Sequence, residues 1–243
     1  MEPFRYENRV RYSEVDLDAK LSLRGLLNLF QDTSVLHSED VGIGFRYLHD
    51  RNLAWLLSSW QVVLIKRPDI SEHIVSSTWA YDFKGLYGLR NFTLEDASGE
   101  LLAYANSIWF LYNSALGKPV RIPKEISGPY HSEEFEPFPM EYAPRHILMP
   151  ETMAELPSIT VSPSEIDTNR HVNNVQYVEL ARQALPELER TKEIRVEYKK
   201  MAVLGNVIHP LMAKQDDRVY LALNSDQGEP YALMEIMLSG DTF

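Results

Sequence analysis

The chain has no cysteine. That removes disulfides, thiolate metal sites and a cysteine nucleophile together. It has no run of eighteen or more apolar residues, so no transmembrane helix is expected. Positive charge is in short supply: 24 Lys and Arg stand against 35 Asp and Glu, a formal net charge of −11. A nucleic-acid binder needs a basic face to neutralise phosphates, so that class is excluded. An acidic protein partner would have to dock on a local basic patch. Residues Met1 to Tyr6 lack both the basic-then-apolar pattern of a secretory signal and the Arg- and Ser-rich character of a transit peptide, so a cytoplasmic location is expected. What is present is ordinary for a globular chain: 243 residues, 44% apolar and 24% charged, enough for one large domain or two small ones.

The chain contains a repeat. Ser13-Glu14-Val15-Asp16 meets Ser164-Glu165-Ile166-Asp167 at a shift of 151 positions, and Ser22 then falls on Asn173. Both are N-capping residue types ahead of an apolar stripe at helical spacing. The first helix is expected over Leu23 to Val41, with Leu26, Leu27, Phe30 and Ser34 near one face and Gly42 and Gly44 ending it. The second begins after Asn173, where Gln176 resembles the partner of a capping box, and Pro186 stops it. Strand-like runs follow each helix. In the first half they are Trp60 to Lys66, Ile74 to Phe83, Tyr87 to Leu94 and Glu100 to Tyr112; in the second, Glu193 to Lys199, Val207 to Ala213, Val219 to Leu223 and Glu229 to Leu238. Counting positions sets Lys199-Lys200 on Lys66-Arg67. Between the halves, the stretch from Ser127 to Ser158 carries six of the 14 prolines, which reads as an extended linker.

Each half thus reads as a strand, a long helix and about four antiparallel strands. The fold class is α+β: two tandem units, each a sheet wrapped on a central helix, paired so that open sheet surface is covered. The expected division is 1–126, a linker at 127–157, and 158–243.

The two copies differ at the turn before the helix. The second has Asp167, Asn169 and His171; the first has Asp16, Asp18 and Lys20. Free N–H groups at the helix start, at Asn173 and Asn174, suit a carbonyl oxygen becoming an oxyanion. Each residue alone is an ordinary turn or cap residue. Together they mark a candidate site, and one site rather than two. The spacing alone names no reaction. Trp55, Leu56, Trp60, Trp79, Phe83 and Trp109 make the first half aromatic enough to be core, a binding chamber, or both. His171 has no second His, Cys or acid at metal-ligand spacing, so no metal is expected.

The residues also carry a resemblance. DTNRHVNN at 167–174, Leu26-Leu27-Asn28-Leu29-Phe30-Gln31-Asp32-Thr33, Trp60-Gln61-Val62-Val63, Gly85 to Arg90, Gly99-Glu100, Ser107-Ile108-Trp109 and Ile122-Pro123 resemble the acyl-acyl carrier protein thioesterases of plants and bacteria. That family has a tandem double-hotdog fold. The resemblance implies hydrolysis of fatty acyl thioesters on acyl carrier protein, no cofactor, and an acyl-binding first half; it leaves room for a homodimer. It implies that Asn169 and His171 are the catalytic Asn and His, and Asp167 the motif Asp. One departure stands out. Plant members carry Glu-Cys after a Tyr-basic-basic run, whereas Tyr198-Lys199-Lys200 is followed here by Met201 and Ala202. Either Asp167 or His171 is then the base. Acyl-coenzyme A hydrolysis, a hydratase and a non-catalytic acyl-binding protein remain competing readings. For a carrier protein, Lys199-Lys200, Lys66-Arg67, or Lys118, Arg121 and Lys124 are the candidate docking cations.

Overall fold

The computed structural model describes residues 2–167 and 169–239. The chain divides into two compact units, Met1–Tyr142 and Ala143–Phe243. The division falls inside the proline-rich segment.

The first unit contains β1 (Phe4–Arg9), α1 (Leu23–Asp40), α2 (Phe45–His49), β2 (Leu53–Leu64), β3 (His73–Lys84), β4 (Tyr87–Asp96), β5 (Leu101–Asn113), β6 (Lys118–Val120) and α3 (Lys124–Ser127). Its sheet runs β1-β3-β4-β5-β2, and β6 pairs with the end of β5. Every pairing is antiparallel. Ser22 caps α1 by accepting the Gly25 N–H at 3.0 Å, and Gly42 follows its end at φ +76°. The inner stripe of α1 packs on the sheet through Phe30, whose ring lies 5.1 Å from Phe92 and 6.3 Å from Trp60. Leu27, Phe30 and Phe92 are fully buried. Removing a ring at the centre of such a cluster costs about 3–5 kcal/mol, so Phe30 anchors the helix to its sheet.

The second unit contains β7 (Ala154–Glu155), β8 (Ile159–Thr160), α4 (Asn174–Ala184), β9 (Thr191–Tyr198), β10 (Val207–Gln215), β11 (Arg218–Asn224) and β12 (Pro230–Leu238). Its sheet runs β9-β12-β11-β10, with β7 and β8 on the free edge of β10. This is the first unit's topology again: the strand after the helix pairs with the last strand of the meander. Val175, Val178, Leu180 and Ala181 form the buried stripe of α4. Asn173 caps it through Val175 N–H, at 2.9 Å. Gln176 supplies no capping-box bond among the described residues; its N–H bonds instead to Asn173 O.

The segment between the units is seated rather than free. Buried Asn91 accepts the Phe138 N–H at 3.0 Å and the Tyr142 hydroxyl at 3.1 Å, and Trp79 donates to Glu136 O. On the second unit, Ile147 packs with Ala222 and Leu233, and its N–H reaches Glu197 at 3.2 Å. Backbone polar groups in an extended stretch need partners, and side chains of each sheet provide them.

The backbone bonds also correct one alignment between the halves. Ile65 and Lys66 both donate to Leu102 O, and Lys199 and Lys200 both donate to Tyr231 O. Lys200 therefore lies on Lys66, Met201 on Arg67 and Ala202 on Pro68. Position counting was one residue off.

A candidate site at the entrance of the second helix

The loop before each helix is built by one aspartate. Asp167 Oδ1 accepts the Asn169 N–H at 2.8 Å and the His171 N–H at 3.3 Å. Its backbone N–H donates to His171 O at 2.8 Å, and the Arg170 N–H returns to Asp167 O at 3.0 Å. Arg170 takes φ +64° to close the turn. Asp16 does the same in the first unit, accepting the N–H groups of Asp18 at 3.0 Å and Lys20 at 3.3 Å, with Ala19 at φ +59°. An aspartate that bonds its own following backbone makes such a turn cheap to form. An isolated bridge closes each loop, Val15 with Leu21 and Ile166 with Val172.

The loops part ways at the other carboxylate oxygen. Asp16 Oδ2 is ion-paired with Arg67, and both side chains are buried. Arg67 also donates to Leu21 O at 2.8 Å and Lys20 O at 3.2 Å. In the second unit Met201 stands in the place of Arg67, and Lys200 is bonded to Glu229 at 2.7 Å. Among the described residues Asp167 has no cation partner. The two carboxylates thus share a fold role but not an electrostatic one.

The structure brings Asp167, Asn169 and His171 together on one turn, with Asn169 exposed and His171 half-buried. Thr168 lies outside the described residues. The His171 imidazole has no hydrogen-bond partner among the described residues. Of the N–H groups at the start of α4, that of Asn173 donates to Glu165 O, Val175 to Asn173 Oδ1, and Gln176 to Asn173 O. Asn174 alone among these four offers an N–H with no acceptor among the described residues. Asn173 is a cap.

Two tyrosines that sequence reasoning passed over complete the setting. Ala202 donates its N–H to Tyr177 Oη at 2.8 Å and accepts the Val172 N–H at 2.9 Å. Tyr198 donates to Asn174 O at 2.9 Å. The exit of β9, with Met201 and Ala202, is thereby fixed beside the helix entrance. Burial pushes the Tyr177 hydroxyl up to about 12 and raises that of Tyr198 as well, so both stay protonated. Their counterparts in the first unit are Leu26 and Leu64, which offers a signal of sorts: a hydroxyl appears only where the histidine does.

The aromatic residues of the first unit are largely accounted for by packing. Trp60 lies in the core against Phe92, Trp79 against Phe138, and Trp55 against Phe83. The other histidines sit elsewhere: His37 is buried beside Arg90, His146 bonds Glu197, and His209 joins Ser158 to Asp226 at an exposed edge. Among the described residues, the one group close enough to share a metal ion is His131, Glu133 and Glu134, all exposed and none in this loop.

The fold and this helix-entrance loop place the chain with antiparallel-sheet proteins of hotdog type. Residues 2–130 match the acyl-ACP thioesterase N-terminal domain and residues 150–238 match the acyl-ACP thioesterase C-terminal domain. The chain belongs to the acyl-ACP thioesterase family. It is 27% identical over 236 residues to a palmitoyl-acyl carrier protein thioesterase, chloroplastic, of Gossypium hirsutum, covering 88% of this chain and 56% of that one. It is 25% identical over 236 residues to oleoyl-acyl carrier protein thioesterase 2, chloroplastic, of Arabidopsis thaliana, covering 87% of this chain and 64% of that one. The chain thus spans little more than half the length of these relatives. Among solved structures, an acyl-ACP thioesterase from Bacteroides thetaiotaomicron has the same fold, with a TM-score of 0.86 at 23% identity over 97% of each chain. The 12:0-ACP thioesterase from Umbellularia californica superposes with a TM-score of 0.80 at 20% identity, covering 97% and 96%. No described helix is long and apolar enough to cross a membrane.

Proposed function

We propose that this chain hydrolyses the thioester of fatty acyl-acyl carrier protein, releasing free fatty acid and ending chain elongation. The observation that carries the reading is the asymmetry of two otherwise matching loops: where the first seals its aspartate with Arg67, the second has an Asp167 with no cation partner and a His171 ring with no hydrogen-bond partner among the described residues.

In this reading, His171 takes a proton from water as its oxygen attacks the thioester carbonyl. An imidazole ionises near neutral pH, which suits a general base. Asp167 holds the loop through Oδ1 and places negative charge beside the imidazolium that forms. Asn169 orients the carbonyl or the water. The Asn174 N–H, at the positive end of α4, receives the developing oxyanion. The C–S bond then breaks, and the proton held on His171 passes to the departing thiolate. The two units pair as a pseudo-dimer, residues 1–126 binding the acyl chain and 158–243 carrying the reaction, joined by 127–157.

A second reading has a specific observation behind it. Met201 and Ala202 replace the Glu-Cys of plant members, which favours an acyl-binding protein without turnover. One panel separates these. Acyl carrier protein and coenzyme A thioesters of varied chain length are incubated with the chain and with His171→Ala, and free thiol is followed. Hydrolysis that His171→Ala lowers 100-fold or more supports the enzyme. A tight acyl complex without thiol release, or full activity in His171→Ala, rejects it.

A further inference from the structure

Resting on that reading, we propose that the acyl carrier protein docks on the basic face formed by Lys118, Arg121 and Lys124 of the first unit. The chain's charge of −11 opposes an acidic partner, so approach requires a local exception. Three basic clusters are visible in the sequence, and the structure separates them. Arg67 is buried on Asp16, and Lys66 meets Glu100 at 3.5 Å. Lys199 meets Glu197 at 2.5 Å and Lys200 meets Glu229 at 2.7 Å. These four already have acidic partners. Lys118, Arg121 and Lys124 are exposed, and none has an ion pair among the described residues.

Residues 114–124 contain no acid; Glu125 is the nearest in sequence. The face is held in shape. Lys118 pairs with Asn113 across β5 and β6, and Leu116 N–H is tied to Asn113 Oδ1 at 2.9 Å. Ile122 N–H donates to Gly85 O at 3.1 Å, which sets Arg121 beside the β3–β4 hairpin tip. Two exposed leucines flank the cations, Leu116 at 61% and Leu86 at 40%. Apolar side chains amid unpaired charge of one sign make a surface that favours a partner of opposite sign, with the charges mainly raising the rate of encounter.

The test is steady-state hydrolysis of one acyl group on two carriers, acyl carrier protein and N-acetylcysteamine, by the full chain and by Lys118→Glu/Arg121→Glu. Docking on this face predicts that kcat/KM for the carrier protein falls tenfold or more and loses much of its salt dependence. The N-acetylcysteamine thioester, which has no protein to dock, should be hydrolysed as before. Lys66→Glu/Lys214→Glu makes the same change of net charge elsewhere and should leave carrier kcat/KM within about threefold. The proposal is overturned if the patch variant keeps wild-type kcat/KM on the carrier, if both substrates fall together, or if the distant pair lowers it equally. A wild-type chain that hydrolyses neither thioester overturns the hydrolase reading itself.

Discussion

The Asp167 carboxylate accepts the backbone N–H of His171 at 3.3 Å, and Asp16 accepts that of Lys20 at the same distance. One geometry therefore serves two loops with different occupants. What distinguishes them is Arg67, which pairs with Asp16 and has no counterpart at Asp167 among the described residues.

That difference predicts opposite outcomes from one substitution. Asp167→Asn keeps an oxygen for the two N–H groups, so the loop holds, while the charge beside His171 disappears. Thiol release is expected to fall about 100-fold with little change in unfolding midpoint. Asp16→Asn takes away the carboxylate charge that faces the buried Arg67 guanidinium, which costs about 3–5 kcal/mol. Its urea midpoint should drop sharply, while the rate per folded molecule stays near wild type. Parallel urea curves and thiol assays check this; loss of turnover in Asp16→Asn at full stability would reverse the assignment of the two loops.

Met201 is the position to test next, because it lies where Arg67 lies. Met201→Arg should rebuild in the second unit the pairing that seals the first. Hydrolysis is then expected to fall at least tenfold while the unfolding midpoint holds or rises. Met201→Glu instead adds a second carboxylate near Asp167. Like charges raise each other's pKa, so the acid limb of the rate profile should move to higher pH. Equal pH profiles for wild type and Met201→Glu would show that residue 201 does not sense Asp167.

Much of this was legible in the chain. The repeated Ser-Glu-x-Asp and the capping Ser22 and Asn173 are local signals, and local signals survive in a sequence. The strand after α1 is longer than its sequence pattern: β2 begins at Leu53, not Trp60, because its first half pairs with the end of β5, a contact no window contains. The short α2, Phe45–His49, is too brief to show a stripe at helical spacing. The one-residue slip in aligning Met201 arose because the two connections differ in length, and only the shared acceptors Leu102 O and Tyr231 O reveal the register. The seating of the proline-rich segment on Asn91 was illegible for the same reason, since its partner lies 47 residues away.

His37 predicts a pH dependence of stability. Burial, then Arg90 at 2.8 Å, depresses its pKa to about 3 from an ordinary 6.5. The folded chain therefore holds the ring neutral. Above pH 6.5 both states are neutral there and the full stability is present. Below 6.5 the unfolded chain gains a proton that the folded one refuses, so stability falls until about pH 3, by up to ~1.4 kcal/mol per pH unit. His37→Asn keeps an acceptor for Arg90 and cannot titrate. Between pH 6.5 and 4.5 its urea midpoint should decline less than that of wild type; equal declines would remove His37 as the cause.

Tyr177 and Ala202 allow the first unit to be used as a template for the second. Ala202 is fully buried, and its N–H is satisfied by the Tyr177 hydroxyl at 2.8 Å. The first unit has Leu26 and Pro68 at these places, and proline has no N–H to satisfy. Tyr177→Phe should therefore cost about 1–3 kcal/mol by stranding a buried donor. Ala202→Pro in the same chain removes that donor, so the double variant should recover most of the loss. The coupling is read from a double-mutant cycle of urea unfolding. Additive losses would mean that the hydroxyl stabilises something other than the Ala202 amide. The cycle also reports on the site: if Tyr177 merely completes the packing, the double variant regains hydrolysis with stability. If its hydroxyl is needed to set residues 201 and 202 against the helix entrance, stability returns and kcat does not.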